Sequence, residues 1–186
     1  MTRLQGVQAP QNALLPCLQT DTQGFVTKSA SNNNIFVSIR GTSNAQDWDT
    51  NADYAMLPVE FRVDKESGEK ATADIHNGFF LAAKEVYQQV VDGVRAVDSW
   101  NSNGGSSTVT ITGHSLGAAL ATLLAAWLEA DEGFTYTVGA VYTFGSPRVG
   151  SQSWADAYGR LGLTSKTLRF VNYGDPVSPI KATHSK

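Results

Sequence analysis

The chain has 186 residues, of which 41% are hydrophobic and 17% are charged, and its formal net charge is -3. This length corresponds to one domain, and the composition supports a hydrophobic core and excludes a disordered chain. The absence of a basic run argues against nucleic-acid binding, and no stretch approaches the ~20 apolar residues of a membrane span.

Cysteine and histidine usage narrows the possible chemistry. Cys17 is the only cysteine, so it is either an ordinary thiol or half of a disulfide whose partner lies outside this chain. His76, His114 and His184 are too scattered for a metal-binding motif, and we expect no metal site. Residues 1–6 are not followed by an apolar segment, so no signal peptide is visible.

The N-terminal half predicts short strands. Residues 1–22 show no clear periodicity. Two β-prone runs, Gly24–Ser29 and Ile35–Arg40, flank an asparagine-rich turn and predict a hairpin. Ala45–Tyr54 is polar with interspersed aromatic residues and indicates a short helix or a loop, and Leu57–Val63 predicts a further short strand.

From residue 78 onward, helical and strand patterns alternate. One helical face, running to about Ser99, is predicted by apolar residues at spacings of three and four: Phe79, Ala83, Val86, Val90, Val94 and Val97. Strands are then predicted over 108–112, 136–144 and 166–172, with helices over 118–128 and 151–160 between them. Such alternation is typical of parallel crossovers in an α/β sheet, whose functional groups lie at the carboxyl ends of the strands.

Ser115 lies between Gly113 and Gly117, directly after a predicted strand and before a predicted helix. This is the context of a nucleophile elbow, a sharp turn that strains the serine backbone and leaves room only for small residues on either side. The helix N-terminus points N–H groups at the position where an oxyanion forms. The alternative is a serine that only caps the helix.

A serine hydroxyl needs a base, usually a histidine oriented by a carboxylate. Asp175 follows the last predicted strand and is the candidate acid, with an Asp-Pro turn as the alternative. His184 alone follows the acid, but it lies near the C-terminus, where chains fray, so no histidine is assigned as the base. We expect His76 to be a structural histidine at a helix start and His114 to pack or hydrogen-bond beneath the elbow.

Two backbone N–H groups are expected to hold the oxyanion. One belongs to Leu116, the residue after the nucleophile. The other is assigned to Thr42, in a turn after an early strand, although a plain strand-ending turn is equally compatible with the sequence. Ala45–Tyr54 is either a surface loop or a mobile cover over an apolar acyl pocket.

These residues resemble the fungal-type, or class 3, lipases of the α/β-hydrolase superfamily. The matching motifs run in family order over residues 23–180. They are VSIRGT at 37–42, DW at 47–48, IHNGF at 75–79, TITGHSLGAALATL at 110–123, YTFGSPRVG at 142–150 and RFVNYGDPV at 169–177. The resemblance implies an α/β-hydrolase fold, with a mostly parallel central sheet and helices on both faces, in a single domain over residues 1–186.

The resemblance also implies functional roles. Ser115 corresponds to the nucleophile, Asp175 to the triad acid, Thr42 and Leu116 to the oxyanion hole, and Ala45–Tyr54 to the lid region. Members hydrolyse carboxylic esters without a cofactor. Their usual substrates are triacylglycerols, and some members are phospholipases A1, galactolipases or feruloyl esterases. A lipid ester substrate and transient contact with a lipid–water interface are therefore expected.

Two features depart from the family. Its catalytic histidine lies beyond the last residue of this chain, and His184 does not match that motif. Members are commonly secreted, with a signal peptide and disulfides, and neither is visible here. We therefore expect a C-terminally truncated chain in which Cys17 has lost its partner. A lipase-like binding domain without catalysis stays as the alternative to an enzyme.

Overall fold

A computed structural model of the chain describes residues 12–15, 23–41, 55–64, 66–100 and 106–172. Its elements in chain order are β1 (Asn12–Leu15), β2 (Gly24–Lys28), β3 (Asn34–Ile39), β4 (Met56–Arg62), β5 (Lys70–His76), α1 (Asn77–Trp100), β6 (Thr108–His114), α2 (Leu116–Ala130), β7 (Thr137–Phe144), α3 (Gln152–Arg160) and β8 (Thr167–Phe170). The predicted alternation of helices and strands after residue 78 is confirmed.

Six strands form the central sheet, in the spatial order β1-β2-β3-β6-β7-β8. β2 and β3 pair antiparallel, with Val26 opposite Val37, which confirms the predicted hairpin. β3, β6, β7 and β8 are parallel neighbours, so their carboxyl ends meet at one edge. β1 was not predicted, because four residues in a polar segment carry too short a pattern for recognition.

β4 and β5 form a separate antiparallel pair, with Met56 opposite His76. The strand predicted over 57–63 is confirmed. Its partner β5 was not predicted. The alternation in β5 rests on Ala71, Ala73 and Ile75, and alanine is a poor strand signal.

The core lies between the central sheet and two helices. α1 buries the whole predicted apolar face, and α2 buries eleven of its fifteen residues. The sheet faces them with its most buried side chains, which are Val26, Ile35, Val37, Ile39, Val109, Ile111, Val138 and Val141. None of the described helices combines the length and apolar composition that crossing a bilayer requires.

The opposite face of the sheet is apolar and exposed. Phe25, Phe36, Phe144, Leu168 and Phe170 each expose between 37% and 46% of their surface, and the rings of Phe144 and Phe170 stack 4.9 Å apart. Leu168 and Phe170 thus share one face, as predicted. In the part of the chain that the structure describes, no helix packs on this face, and helices on both faces stay a prediction.

A buried ion pair links the sheet to α1 at the edge where the parallel strands begin. The Lys28 Nζ, on β2, donates to Asp98 Oδ1 near the end of α1 at 2.8 Å, and the Lys28 side chain is only 4% exposed. The Ser107 hydroxyl, just before β6, donates to the same oxygen at 2.5 Å. Although burial raises the pKa of the Asp98 carboxyl, the bonds from Lys28 and Ser107 hold that pKa below its ordinary value.

Replacing Asp98 with asparagine removes the carboxylate that accepts hydrogen bonds from the buried Lys28 ammonium and from the Ser107 hydroxyl. We expect Asp98→Asn to lower the free energy of unfolding by ~2 kcal/mol, measured by urea denaturation. The control is Asp92→Asn, an exposed position on the same helix, which changes the net charge equally. An equal loss of unfolding free energy in the two variants would contradict the assignment.

The lowered pKa of Asp98 also makes this stabilisation depend on pH. The contribution of Asp98 to the free energy of unfolding is complete above the unfolded pKa of ~3.9, and it is lost as the pH falls through the folded pKa.

Candidate active site

Ser115 follows β6 and precedes α2 with φ 54° and ψ -125°, the only positive φ of a non-glycine residue that the described chain shows. This backbone conformation costs ~1–3 kcal/mol and persists only where the surroundings enforce it. The Ser115 N–H donates to Phe144 O at 2.9 Å, and its carbonyl accepts from Ala118 N at 2.9 Å. Its side chain makes no capping hydrogen bond. Ser115 therefore occupies the N-cap position, but its hydroxyl does not cap the helix.

Two glycines enforce this turn by steric exclusion. A Cβ on Gly113 would overlap the carbonyl oxygen of Gly117, and a Cβ on Gly117 would overlap the carbonyl oxygen of Ile39. The strand and the helix can approach this closely only because both positions lack a side chain. The elbow expected from the glycine spacing is thus observed, and it is pressed against the end of β3.

The chain after β3 also packs on the elbow. A Cβ on Gly41 would lie 2.6 Å from His114 O and 3.4 Å from Ser115 Cβ. Arg40 just before it is tied to Gln23 through its backbone N–H at 2.7 Å and through Nη1 at 2.6 Å. Sequence reasoning assigned no role to Gly41, although the lack of a side chain between Arg40 and Thr42 was a signal for close backbone approach.

Leu116 is the first residue of α2, and its side chain is buried. The N–H groups of a first helical turn have no acceptor within their own helix, so this amide is available to a ligand at the turn. Gly41, the described residue before Thr42, and Leu116 thus belong to two segments that meet at Ser115. Thr42 itself lies outside the described residues, as do Asp175, His184, Ala45–Tyr54 and Cys17.

The two described histidines differ. His76 is buried at the start of α1 and stacks on Phe79, with ring centroids 4.4 Å apart, as a structural histidine would. His114 was expected to lie beneath the elbow, and this prediction is wrong because its side chain is exposed. Successive strand residues point to opposite faces, so His114 faces away from the helices when Gly113 faces towards them.

His114 lines a cavity of about 650 Å³ at the carboxyl edge, on the exposed face of the sheet. Its wall also includes Phe25, Ser38, Arg40 and Phe144. The cavity lies beside the elbow and combines aromatic and polar side chains. Apolar cavities with a few polar groups are typical of small-molecule sites.

The model of the family described as Lipase (class 3) matches residues 36–184 of the chain. The chain belongs to the class 3 lipase family. The resemblance found in the sequence motifs is confirmed, and with it the α/β-hydrolase fold of these lipases.

Known class 3 lipases are moderately similar to the chain. It is 32% identical to a secreted mono- and diacylglycerol lipase 1 from Fusarium solani over 159 residues, which are 86% of this chain and 43% of the relative. It is 34% identical to a lipase from Rhizomucor miehei over 158 residues, 84% of this chain and 40% of the relative. The crystal structure of a lipase from Rhizopus microsporus var. chinensis superposes with a TM-score of 0.71 at 26% identity, over 92% of this chain and 57% of that one. The chain thus spans less than half the length of the curated relatives it matches.

The contact between Gly117 and Ile39 O predicts a sharp steric penalty. Helix propensity alone favours alanine over glycine at position 117 by ~1 kcal/mol. The overlap with a backbone oxygen costs more, since overpacking a tight contact costs ~1–3 kcal/mol and the backbone cannot rotate away as a side chain can. We expect Gly117→Ala to be less stable than the unsubstituted protein by ~1–2 kcal/mol in urea denaturation.

The control for this substitution is Gly139→Ala in β7. A Cβ there would meet the Thr108 side chain at 3.4 Å, an ordinary contact. We expect this variant to unfold at the urea concentration of the unsubstituted protein or above it. If Gly117→Ala is as stable as Gly139→Ala, the elbow is not packed as described.

Proposed function

We propose that this class 3 lipase chain is the nucleophile-bearing part of a serine ester hydrolase that acts on lipid esters. The observation that carries the proposal is the strained backbone of Ser115, whose hydroxyl is not used as a helix cap. A serine held at φ 54° without a capping role is a costly feature that structural stability does not need. The pattern is that of a nucleophile elbow.

In this proposal Ser115 attacks the ester carbonyl, and a histidine takes its proton and then protonates the leaving alcohol. The carboxylate of Asp175 orients that histidine and stabilises its charged form. The N–H groups of Thr42 and Leu116 hold the tetrahedral oxyanion, each such donor lowering the barrier by roughly 2.7–4 kcal/mol. Water then hydrolyses the acyl-enzyme. The contact of Gly41 with the elbow supports the pairing of Thr42 with Leu116, because it brings the chain before Thr42 next to Ser115.

Acylglycerols are the proposed substrates, because the relative from Fusarium solani is named a mono- and diacylglycerol lipase. The word "secreted" in that name supports secretion of the whole protein to which this chain corresponds. Ala45–Tyr54 is proposed as the lid that opens at a lipid surface. Phospholipids and feruloyl esters are the alternative substrate classes, since members of the family differ in the esters that they hydrolyse.

A lipase-like binding domain without catalysis is the second candidate function. The observation that favours it concerns the base, because His76 is buried against Phe79 and the His114 side chain is exposed, so neither is assigned as the base. Such a domain would retain the elbow as a structural relic and bind lipid without turnover. The two functions differ in whether Ser115 reacts with an ester or an activated phosphonate.

Substitution of the nucleophile tests catalysis directly. We expect the full chain to hydrolyse p-nitrophenyl esters and Ser115→Ala to lose this activity, because alanine cannot form the acyl-enzyme. A fluorophosphonate should add its mass to the unsubstituted protein and not to Ser115→Ala. The control is Ser106→Ala, which removes an exposed serine near β6 and should leave both readouts unchanged.

Three outcomes of this experiment are informative. Equal hydrolysis by the Ser115→Ala variant would exclude Ser115 as the nucleophile. Fluorophosphonate labelling without turnover would indicate an activated serine that lacks a complete triad. Neither labelling nor hydrolysis by a folded protein would favour the binding domain.

Substrate class is tested by comparing hydrolysis rates on dispersed lipids of equal acyl length. We expect kcat/KM for a diacylglycerol to exceed that for phosphatidylcholine and for a feruloyl ester by about tenfold or more, because a head group that the site does not accommodate costs transition-state binding. Fatty-acid release is measured by titration at constant pH. A higher value for phosphatidylcholine would assign the site to phospholipids instead.

A further inference from the structure

A second cleft, of about 210 Å³, lies on the helical side of the sheet, and Ser115 does not line it. α2, β7, β8, the beginning of α3 and the loop between β7 and α3 all contribute to its wall. The polar side chains in this wall include Thr122, Thr143, Ser146, Arg148, Gln152 and Arg169. The proposed ester hydrolysis uses none of these residues.

Strand register places Arg169 in the cleft. Arg169 on β8 is the register partner of Thr143 on β7, and Thr143 is buried between the sheet and the helices. Side chains of register partners point to the same face, so the guanidinium of Arg169 lies on the helical side. Its Nη2 donates to Ser146 O at 2.8 Å, which fixes the guanidinium, and no hydrogen bond between described residues uses its other N–H groups.

Arg148 supplies a second positive charge. Its side chain is exposed and forms no ion pair with any residue that the structure describes. No aspartate or glutamate is among the residues of the cleft wall. Two described carboxylates bind lining residues, since Asp74 accepts weakly from Ser151 at 3.4 Å and Asp156 accepts from Gln152 at 2.9 Å. Two guanidiniums thus share a cleft in which no carboxylate from the described residues forms an ion pair with them.

Buried hydroxyl groups complete the lining. Thr143 and Ser146 are each 2% exposed. The Ser146 hydroxyl donates to Pro147 O at 3.0 Å, while no hydrogen bond observed between described residues uses the Thr143 hydroxyl. The volume of the cleft far exceeds the ~10–15 Å³ that one water molecule needs, so a phosphate group has room in it.

We propose that this cleft binds a phosphate group, held by the guanidiniums of Arg148 and Arg169 with the Thr143 hydroxyl as a further donor. Arginine is suited to this role because its fork of N–H groups matches two phosphate oxygens. The net charge of the chain is -3, so its overall field repels anions and any binding must come from this local pair. The phosphate belongs either to a free anion or to the head group of a phosphomonoester lipid, and both present the same oxygens.

The test uses the full chain with two probes. Isothermal titration calorimetry measures binding of inorganic phosphate, and flotation measures binding to phosphatidylcholine vesicles with and without phosphatidic acid. We expect Arg148→Gln to weaken phosphate binding by about tenfold, the effect of losing one charge-assisted contact. The control is Lys84→Gln, which removes one exposed positive charge from α1 and should leave binding unchanged.

The outcomes distinguish free phosphate from a phosphomonoester lipid as the ligand, and they distinguish failure of the phosphate cleft from failure of ester hydrolysis at Ser115. Binding of free phosphate and of phosphatidic acid vesicles, both weakened in Arg148→Gln, supports the cleft, and binding of one probe alone identifies the source. No binding of either probe, or equal weakening in Lys84→Gln, overturns the proposal. Hydrolysis of p-nitrophenyl esters should be unchanged in Arg148→Gln, so a failure here leaves the role of Ser115 untouched.

If Arg148→Gln has a lower melting temperature than the unsubstituted protein, the phosphate titration is done with Arg148→Lys instead. Lysine keeps the charge but loses the two-oxygen fork, so we expect phosphate affinity to fall severalfold at unchanged stability. Affinity equal to that of the unsubstituted protein would overturn the assignment of Arg148.

Discussion

The structure depends on one close backbone contact, where the end of β3 meets the turn between β6 and α2. Gly117 lies against Ile39 O, and Gly41 lies against His114 O, so no side chain fits between the two segments. This contact holds Ser115 in a backbone conformation that a serine does not adopt unaided. The packing energy of the surrounding sheet and helices therefore maintains the strain at a single residue.

The sheet topology explains why this contact forms where it does. β3 and β6 are parallel neighbours although 68 residues lie between Ile39 and Thr108, and parallel pairing brings their carboxyl ends to one edge. α1 and α2 cover one face of the sheet and exclude water from its core. The buried Lys28–Asp98 pair holds the other edge, so the two edges use different physical means, charge pairing at one and glycine packing at the other.

Sequence patterns predicted most elements of the sheet and its helices because those elements are long and strongly periodic. The β2–β3 hairpin and the face of α1 followed directly from alternation and from spacings of three and four. β1 and β5 were missed, since the first has only four residues and the second alternates on alanine. The orientation of His114 was also wrong, because its proximity to Ser115 in the chain outweighed the alternation of strand side chains.

The proposed nucleophile, the glycines around it and the family follow from local sequence, because a tight strand-to-helix turn tolerates few residue types. Contacts between distant segments decided the rest. Only the pairing of β3 with β6 shows that Gly41 touches the elbow, and only the register of β7 with β8 brings Arg169 into a cleft with Arg148. The physical reason is that a periodic pattern specifies which face of an element is buried but not which other element covers it.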